Sequence, residues 1–323
     1  MKKKIILYIF LSISLIIKSN AQEMPFYKSY FLNNFLLNPA FCGLEEYAPI
    51  LLIDKHQWFG DEYAPATQLF TISGKLKKEG YAVSIFNDKA GRFSTQSMQL
   101  SYSHHITLSK KKHFKRKTGK IIRERPELAL GVTFAAYRLN FDQLGITTID
   151  FDPAVSGKME TSNFPDANFG MYYQKKGGFV SLSAQQLISA RINLYNRDEE
   201  NNRLQRQYFL FFGKEFNVDK LLNVEPSMMI KTNESKQFEI EINLKFIYFR
   251  DYWFAITYSR DANNLLEQNH LIKMYAGIKI FNSFHAAYAY NHMFNNLQNN
   301  TLGTHEFMLR YNLFEEKKGR NFY

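Results

Sequence analysis

The run Phe238-Glu239-Ile240-Glu241-Ile242-Asn243-Leu244-Lys245-Phe246 alternates apolar and polar side chains without a break. Successive side chains of a strand point to opposite faces, so such a run has one oily face and one wet face. The pattern recurs along most of the chain. Met98, Leu100, Tyr102, His104, Ile106 and Leu108 alternate with Gln99, Ser101, Ser103, His105, Thr107 and Ser109. Phe284, Ala286, Tyr288 and Tyr290 alternate with His285, Ala287, Ala289 and Asn291. This predicts about fourteen strands, at 47–58, 65–77, 80–87, 95–108, 127–139, 167–175, 178–187, 206–216, 222–232, 236–249, 252–260, 269–281, 284–293 and 304–314. The stretches 95–108 and 236–249 exceed the roughly 5–6 residues of an average strand.

A soluble sandwich and a membrane barrel both satisfy this alternation. Strand length and composition separate them. The chain of 323 residues is 45% hydrophobic and 16% aromatic, yet its mean hydropathy is only −0.35. A tilted membrane strand needs about 9–11 residues and turns half of them away from lipid. That combination yields many aromatics at modest hydropathy. An open sheet edge in lipid would strand backbone donors and acceptors, so the sheet must close. The expectation is an all-β chain: a transmembrane, antiparallel, up-and-down barrel of about 14 strands, preceded by a short N-terminal segment.

Three parts are expected. Residues 1–21 have the form of a secretory signal peptide: Lys2, Lys3 and Lys4, an apolar core at 5–17, and small residues up to Ala21. Residues 22–46 form a turn or plug segment, in which Phe31, Leu32, Phe35 and Leu36 recur at helical spacing. It packs against one end of the barrel or plugs its lumen. Residues 47–323 form the barrel. Cys42 is the only cysteine, which excludes an internal disulfide and a cysteine-based metal site.

Loop lengths provide an independent test, because such barrels have short periplasmic turns and longer external loops. If residue 47 starts at the periplasm, the connections after even-numbered strands should be short, and most are. Those after odd-numbered strands are mostly longer, notably 140–166 and 188–205. The connection 109–126 is the exception, long yet periplasmic. It carries Lys110, Lys111, Lys112, Lys115, Arg116, Lys117, Lys120, Arg123 and Arg125 against Glu124, a net +8. The formal charge of +11 falls to +7 without the four lysines of the leader, so the basicity is one local block. Such a block is a solvated loop, a periplasmic protein contact or a contact to lipid phosphates. Phe114 is its only aromatic, which argues against nucleic acid.

No nucleotide-binding, zinc-protease or serine-elbow motif occurs, and no cofactor or metal is expected. His104 and His105 are adjacent, but alternation sends them to opposite faces. Ser103 and His105 share a predicted lumenal face, the raw material of a barrel lipase.

The remaining signals are turn motifs. Asn38-Pro39-Ala40-Phe41-Cys42-Gly43 is followed by Gln57-Trp58-Phe59-Gly60 and by Pro65-Ala66-Thr67. Further along stand Asn87-Asp88-Lys89-Ala90-Gly91, Asp150-Phe151-Asp152-Pro153, Pro165-Asp166-Ala167-Asn168-Phe169-Gly170, Glu225-Pro226-Ser227 and Gly303-Thr304-His305-Glu306. Asn87 to Gly91 is expected in an external loop. The segments at Asp150 and Pro165 are expected to bracket the largest loop. In order and spacing these motifs resemble the PorP/SprF family, outer-membrane proteins tied to type IX secretion. Cys42 departs from the small residue usual before Gly43. The family motifs fall on Pro65, Asn87, Asp88, Gly91, Asp152, Pro153, Gly170, Pro226, Gly303, His305 and Glu306. The resemblance implies secretion or surface anchoring of a partner such as a large adhesin or its C-terminal domain, in contact with other secretion components and outer-membrane lipids. An outer-membrane channel for small solutes is the alternative. Within this frame, Asn38, Pro39, Phe41, Gly43, Gln57 and Trp58 are expected to form the periplasmic entrance and touch the partner. Lys110, Lys111, Lys112, Lys115, Arg116 and Lys117 are expected to dock a secretion component.

Overall fold

The computed structural model describes residues 32–45, 47–60, 63–108, 116–117, 120–121, 126–146, 157–192, 203–261, 270–281, 283–294 and 301–314. The expected leader, Asp152, Pro153 and Lys110 to Lys115 lie outside them. Fourteen long strands follow one another: β1 Ala48–His56, β2 Ala66–Leu76, β3 Glu79–Ala90, β4 Phe93–Thr107, β5 Glu127–Asp142, β6 Met159–Lys175, β7 Gly178–Gln185, β8 Gln207–Lys214, β9 Leu222–Asn233, β10 Phe238–Tyr248, β11 Tyr252–Asp261, β12 His270–Lys279, β13 Phe284–Met293 and β14 Thr304–Leu313. Each pairs antiparallel with its neighbours in sequence, and β1 pairs with β14 from Ala48↔Leu313 to His56↔His305. The barrel is closed, as the unpaired-edge argument requires.

Alternation sets the two faces. On β1, Leu51, Ile53 and Lys55 are buried in the lumen while Leu52 is half exposed outside. One outward row crosses six strands in register: Asp54, Gln68, Asn87, Gln96, Arg138 and Asn163. It is wholly polar and partly stitched by hydrogen bonds, as from Asn87 to Gln68 at 2.7 Å and from Arg138 to Asn163 at 3.1 Å. The next outward row is Leu52, Phe70, Ile85, Met98, Ala136 and Pro165, wholly apolar. This step marks one edge of the lipid-facing belt. Among the described residues no helix is long and apolar enough to cross a membrane.

Even-to-odd connections are short at 77–78, 176–177, 249–251 and 280–283. The longer ones at 57–65, 143–158, 186–206, 262–269 and 294–303 lie at the opposite end. The connection 108–126 is the long one at the short-turn end, closed at its base by Leu108 N donating to Pro126 O. Within it, Arg116–Lys117 pairs with Lys120–Ile121 as a small ribbon.

Several boundaries differ from expectation. Asn87 and Asp88 lie in β3, not in a loop, and the connection to β4 is the tight turn at Gly91 and Arg92. The sixth strand begins at Met159 and not near 167, so Pro165 lies inside β6 and the loop before it is shorter. Proline suggested a loop because it cannot donate to a ladder. It is tolerated here because β7 pairs with β6 only from Phe169 onward, leaving Pro165 on a free edge. Pro226 likewise lies within β9 and faces outward.

Candidate functional site

The site is the barrel interior, and its centre is the chain's own N-terminal segment. Residues 32–45 lie inside the lumen as two single turns of 3-10 helix, Asn34–Leu36 and Pro39–Phe41. Proline suits the first position of such a turn because the missing N–H would go unpaired there anyway. Asn38 caps it: Oδ1 accepts from Ala40 N at 2.8 Å. The same side chain holds the wall, its Nδ2 reaching Ser181 Oγ at 2.8 Å, Leu182 O at 2.9 Å and Met171 O at 3.0 Å. Asn38 is fully buried.

The wall is shaped for this segment. Gly80, Ser103, Gly131, Gly170 and Ser183 are paired successively across β3 to β7, so they form one lumenal row of small residues. Every one of them meets the segment. A Cβ on Gly80 would collide with the Cys42 carbonyl, one on Gly131 with the backbone of Pro39 and Ala40, and one on Gly170 with the Asn38 amide. Ser183 Oγ donates to Leu37 O at 2.7 Å, and Gln185 Nε2 to Leu36 O at 2.7 Å. Gly43 has φ +73, which favours glycine, and packs on Gly80.

Ser103 and His105 do share the lumenal face, and both hold the segment. The Cys42 carbonyl accepts from Ser103 Oγ at 2.5 Å and from His105 Nε2 at 2.8 Å. His105 Nδ1 lies 2.8 Å from Glu127 Oε1, and Glu127 Oε2 accepts from Gln174 Nε2 at 3.0 Å. Ser103 Oγ and His105 Nε2 are 3.0 Å apart, so the trio has the spacing of nucleophile, base and orienting carboxylate. Its occupant, however, is a backbone carbonyl of the chain itself. His104, on the opposite face, pairs outside with Glu79 at 2.9 Å.

Apolar contacts complete the docking. Leu37 packs with Phe209, Phe211 and Met229, and Leu32 with Leu51, Ile53, Leu69 and Phe86. Phe41 sits over Tyr172, their ring centroids 4.7 Å apart. Each buried Leu or Phe contributes about 1.5–3 kcal/mol. The far side of the lumen is filled differently, by long side chains. Lys273 Nζ meets Glu241 Oε1 at 2.5 Å with both groups buried, beside buried Tyr275, Glu306 and Met308. Every one of the fourteen strands carries buried lumenal side chains, from Leu51 on β1 round to Met308 on β14. Burial also pushes the Cys42 thiol up to about 12, an effect only partly opposed by its hydrogen bond with Ser103.

The expected entrance is therefore corrected. Asn38 and Pro39 are buried inside and present no surface at the barrel mouth, and Phe41 is half buried against Tyr172. Gln57 and Trp58 follow the far end of β1, at the long-loop side, and do not join Asn38 at one opening. There Phe59 N donates to Gly303 O, tying the first and last of the long loops together. Pro65 O accepts from Gln57 N across the same hairpin. Gly303, with φ +84, precedes β14; His305 faces out against Tyr288 and Glu306 faces in. Asp88 faces the lumen, where its carboxylate accepts from Thr67 Oγ1 at 2.6 Å. Sequence reasoning missed Gly80, Gly131, Glu127 and Gln174. Only strand register reveals the first two as neighbours of Gly170.

Residues 19–311 match the family of type IX secretion system membrane proteins PorP/SprF. The chain belongs to that family. The curated proteins include no match. Among solved structures, the PorP/SprF chain is similar to the CymD monoaromatic hydrocarbon channel, with 8% identity and a TM-score of 0.50 over 91% of this chain and 93% of that one. It is also similar to the Ralstonia pickettii toluene transporter TbuX, with 10% identity and a TM-score of 0.51 over 85% and 92%. At such identity these likenesses describe a shared outer-membrane barrel fold.

Proposed function

We propose that this PorP/SprF protein is a closed outer-membrane scaffold of type IX secretion, which retains a secreted partner at the surface and conducts no small solutes. The observation that supports it is burial of the lumen on every strand. A water-filled pore would leave those side chains wet. The short-turn end, with the N-terminal segment and the basic connection 108–126, faces the periplasm in this reading. The connection's positive charge attracts an acidic secretion component there. The long-loop end meets the secreted partner, an adhesin or its C-terminal domain. No catalysis is assigned, because the Ser103 hydroxyl is directed at the Cys42 carbonyl.

The channel reading draws on the hydrocarbon-channel neighbours, but their likeness is one of fold. Two measurements decide. Deleting the gene should abolish surface display of the partner, and the purified barrel in a planar bilayer should show no steady conductance. Normal display or sustained open-channel current overturns the proposal.

A further inference from the structure

The outward face of β10 to β14 carries a furrow of about 550 Å³. One lipid-facing row there reads Phe246, Phe254, Ala276, Tyr288 and Phe307 across the five strands. Ala276 is the one small residue of that row. In the next row towards the short turns, Ala286 is again small beside Ile278. Two alanines on adjacent strands thus open a diagonal slot between aromatic walls. Tyr248 and Tyr252 bound it at the short-turn end. They are joined by the turn 249–251, where Arg250 is exposed beside Asp251.

We propose that this furrow binds one phospholipid, its acyl chain in the slot and its phosphate at Arg250. Three arguments select that occupant. The slot lies on the apolar, lipid-facing side of the wall. Phe254 and Tyr288 stand on strands two apart, so roughly 10 Å separates their backbones, and the rings narrow the gap further. A helix, about 10–12 Å across with side chains, does not fit, whereas a single hydrocarbon chain does. At the headgroup end two tyrosines flank the turn that carries the exposed Arg250, residue types that suit an interface and a phosphodiester.

The test uses the full mature barrel in vesicles of phosphatidylethanolamine and phosphatidylglycerol, doped with a phospholipid bearing a diazirine in its acyl tail. Cross-links should be enriched several-fold on Phe254 and Tyr288 over Phe70 and Ile85, which face lipid on β2 and β3. Even labelling around the belt overturns the proposal. In native mass spectrometry, wild-type barrel should keep one phospholipid that Ala286→Phe loses and Arg250→Gln holds less well. Equal retention by all three, with the barrel shown intact by its heat-dependent gel shift, overturns it as well. The cross-linking needs no variant, so a misfolded substitution does not spare the idea.

Discussion

Asn38→Ala tests whether the N-terminal segment is held as its hydrogen bonds indicate. The substitution removes the cap on Ala40 and the amide that serves Ser181, Leu182 and Met171. Losing a cap costs about 1 kcal/mol. An amide has two N–H groups, and each buried hydrogen bond lost adds about 1 kcal/mol. The segment should therefore be loosened by about 3 kcal/mol, which corresponds to about a hundredfold rise in its undocked population. Cys42 is a built-in reporter, because it is the only cysteine and is 1% exposed. It reacts with a maleimide only when the segment leaves the wall. Labelling of the assembled barrel should accelerate by about the same hundredfold. Asn38→Asp keeps the shape but sets a carboxylate against two carbonyls, so its effect should be larger. A heat-dependent gel shift shows that the barrel itself is intact. If Asn38→Ala labels at the wild-type rate in an intact barrel, the segment does not depend on Asn38 and the docking account fails.

Gly131→Val should drive the segment off the wall more completely than any polar substitution, since its side chain must occupy the space of Pro39 and Ala40; rapid Cys42 labelling with the barrel intact checks this. Raising pH should destabilise the wild type, because the buried thiol keeps its proton up to about 12 against an ordinary value of 9.0. The unfolded chain releases that proton first, so stability falls between those values by about 1.4 kcal/mol per pH unit, up to about 4 kcal/mol. Cys42→Ala should shift alkaline unfolding to higher pH, and an unchanged midpoint refutes the assignment. Cysteines placed at Lys112 or Lys117, in a Cys42→Ala background, should resist an impermeant thiol reagent on whole cells. Ready labelling would place the basic connection outside.

Alternation, strand number and the parity of loop lengths were all legible in the sequence, because the two faces of every strand meet different solvents. Asn87 and Pro165 depart from expectation for one reason: local preference alone assigns turn-forming residues to loops. In a barrel wall, Asn87 can be satisfied by Gln68 on the next strand, and Pro165 can occupy a locally free edge. The position of the N-terminal segment was legible only as a choice between mouth and lumen. Nothing along the chain marks Gly80, Gly131 and Gly170 as neighbours, since 51 and then 39 residues separate them. Their meaning appears once β3, β4, β5 and β6 are in register.

The lumenal residues then divide by size around the circumference, and the division explains why an Asn-Pro turn stands so early in the chain. On β3 to β7, apart from larger residues such as Phe86, His105, Glu127 and Tyr172 that pack on or around the segment, the wall offers Gly80, Ala82, Ser101, Ser103, Gly131, Thr133, Gly170, Ser181 and Ser183. These side chains are too short to meet anything across a barrel. On β10 to β14 it offers Glu241, Lys245, Trp253, Lys273, Tyr275, Glu306 and Arg310, long enough to fill their own half. Without residues 32–45 the first arc would face a void lined largely by small side chains, and Ser103, His105 and Ser183 would lose the carbonyls they now hold. Buried polar groups without partners cost about 1–3 kcal/mol each unless water replaces the segment. The segment is thus the missing half of the barrel's core. Its sequence is constrained by polar and close backbone contacts with β3 to β7 and by apolar contacts with β1, β2, β8 and β9, which is why a motif so far from any surface can be as distinctive as a binding site.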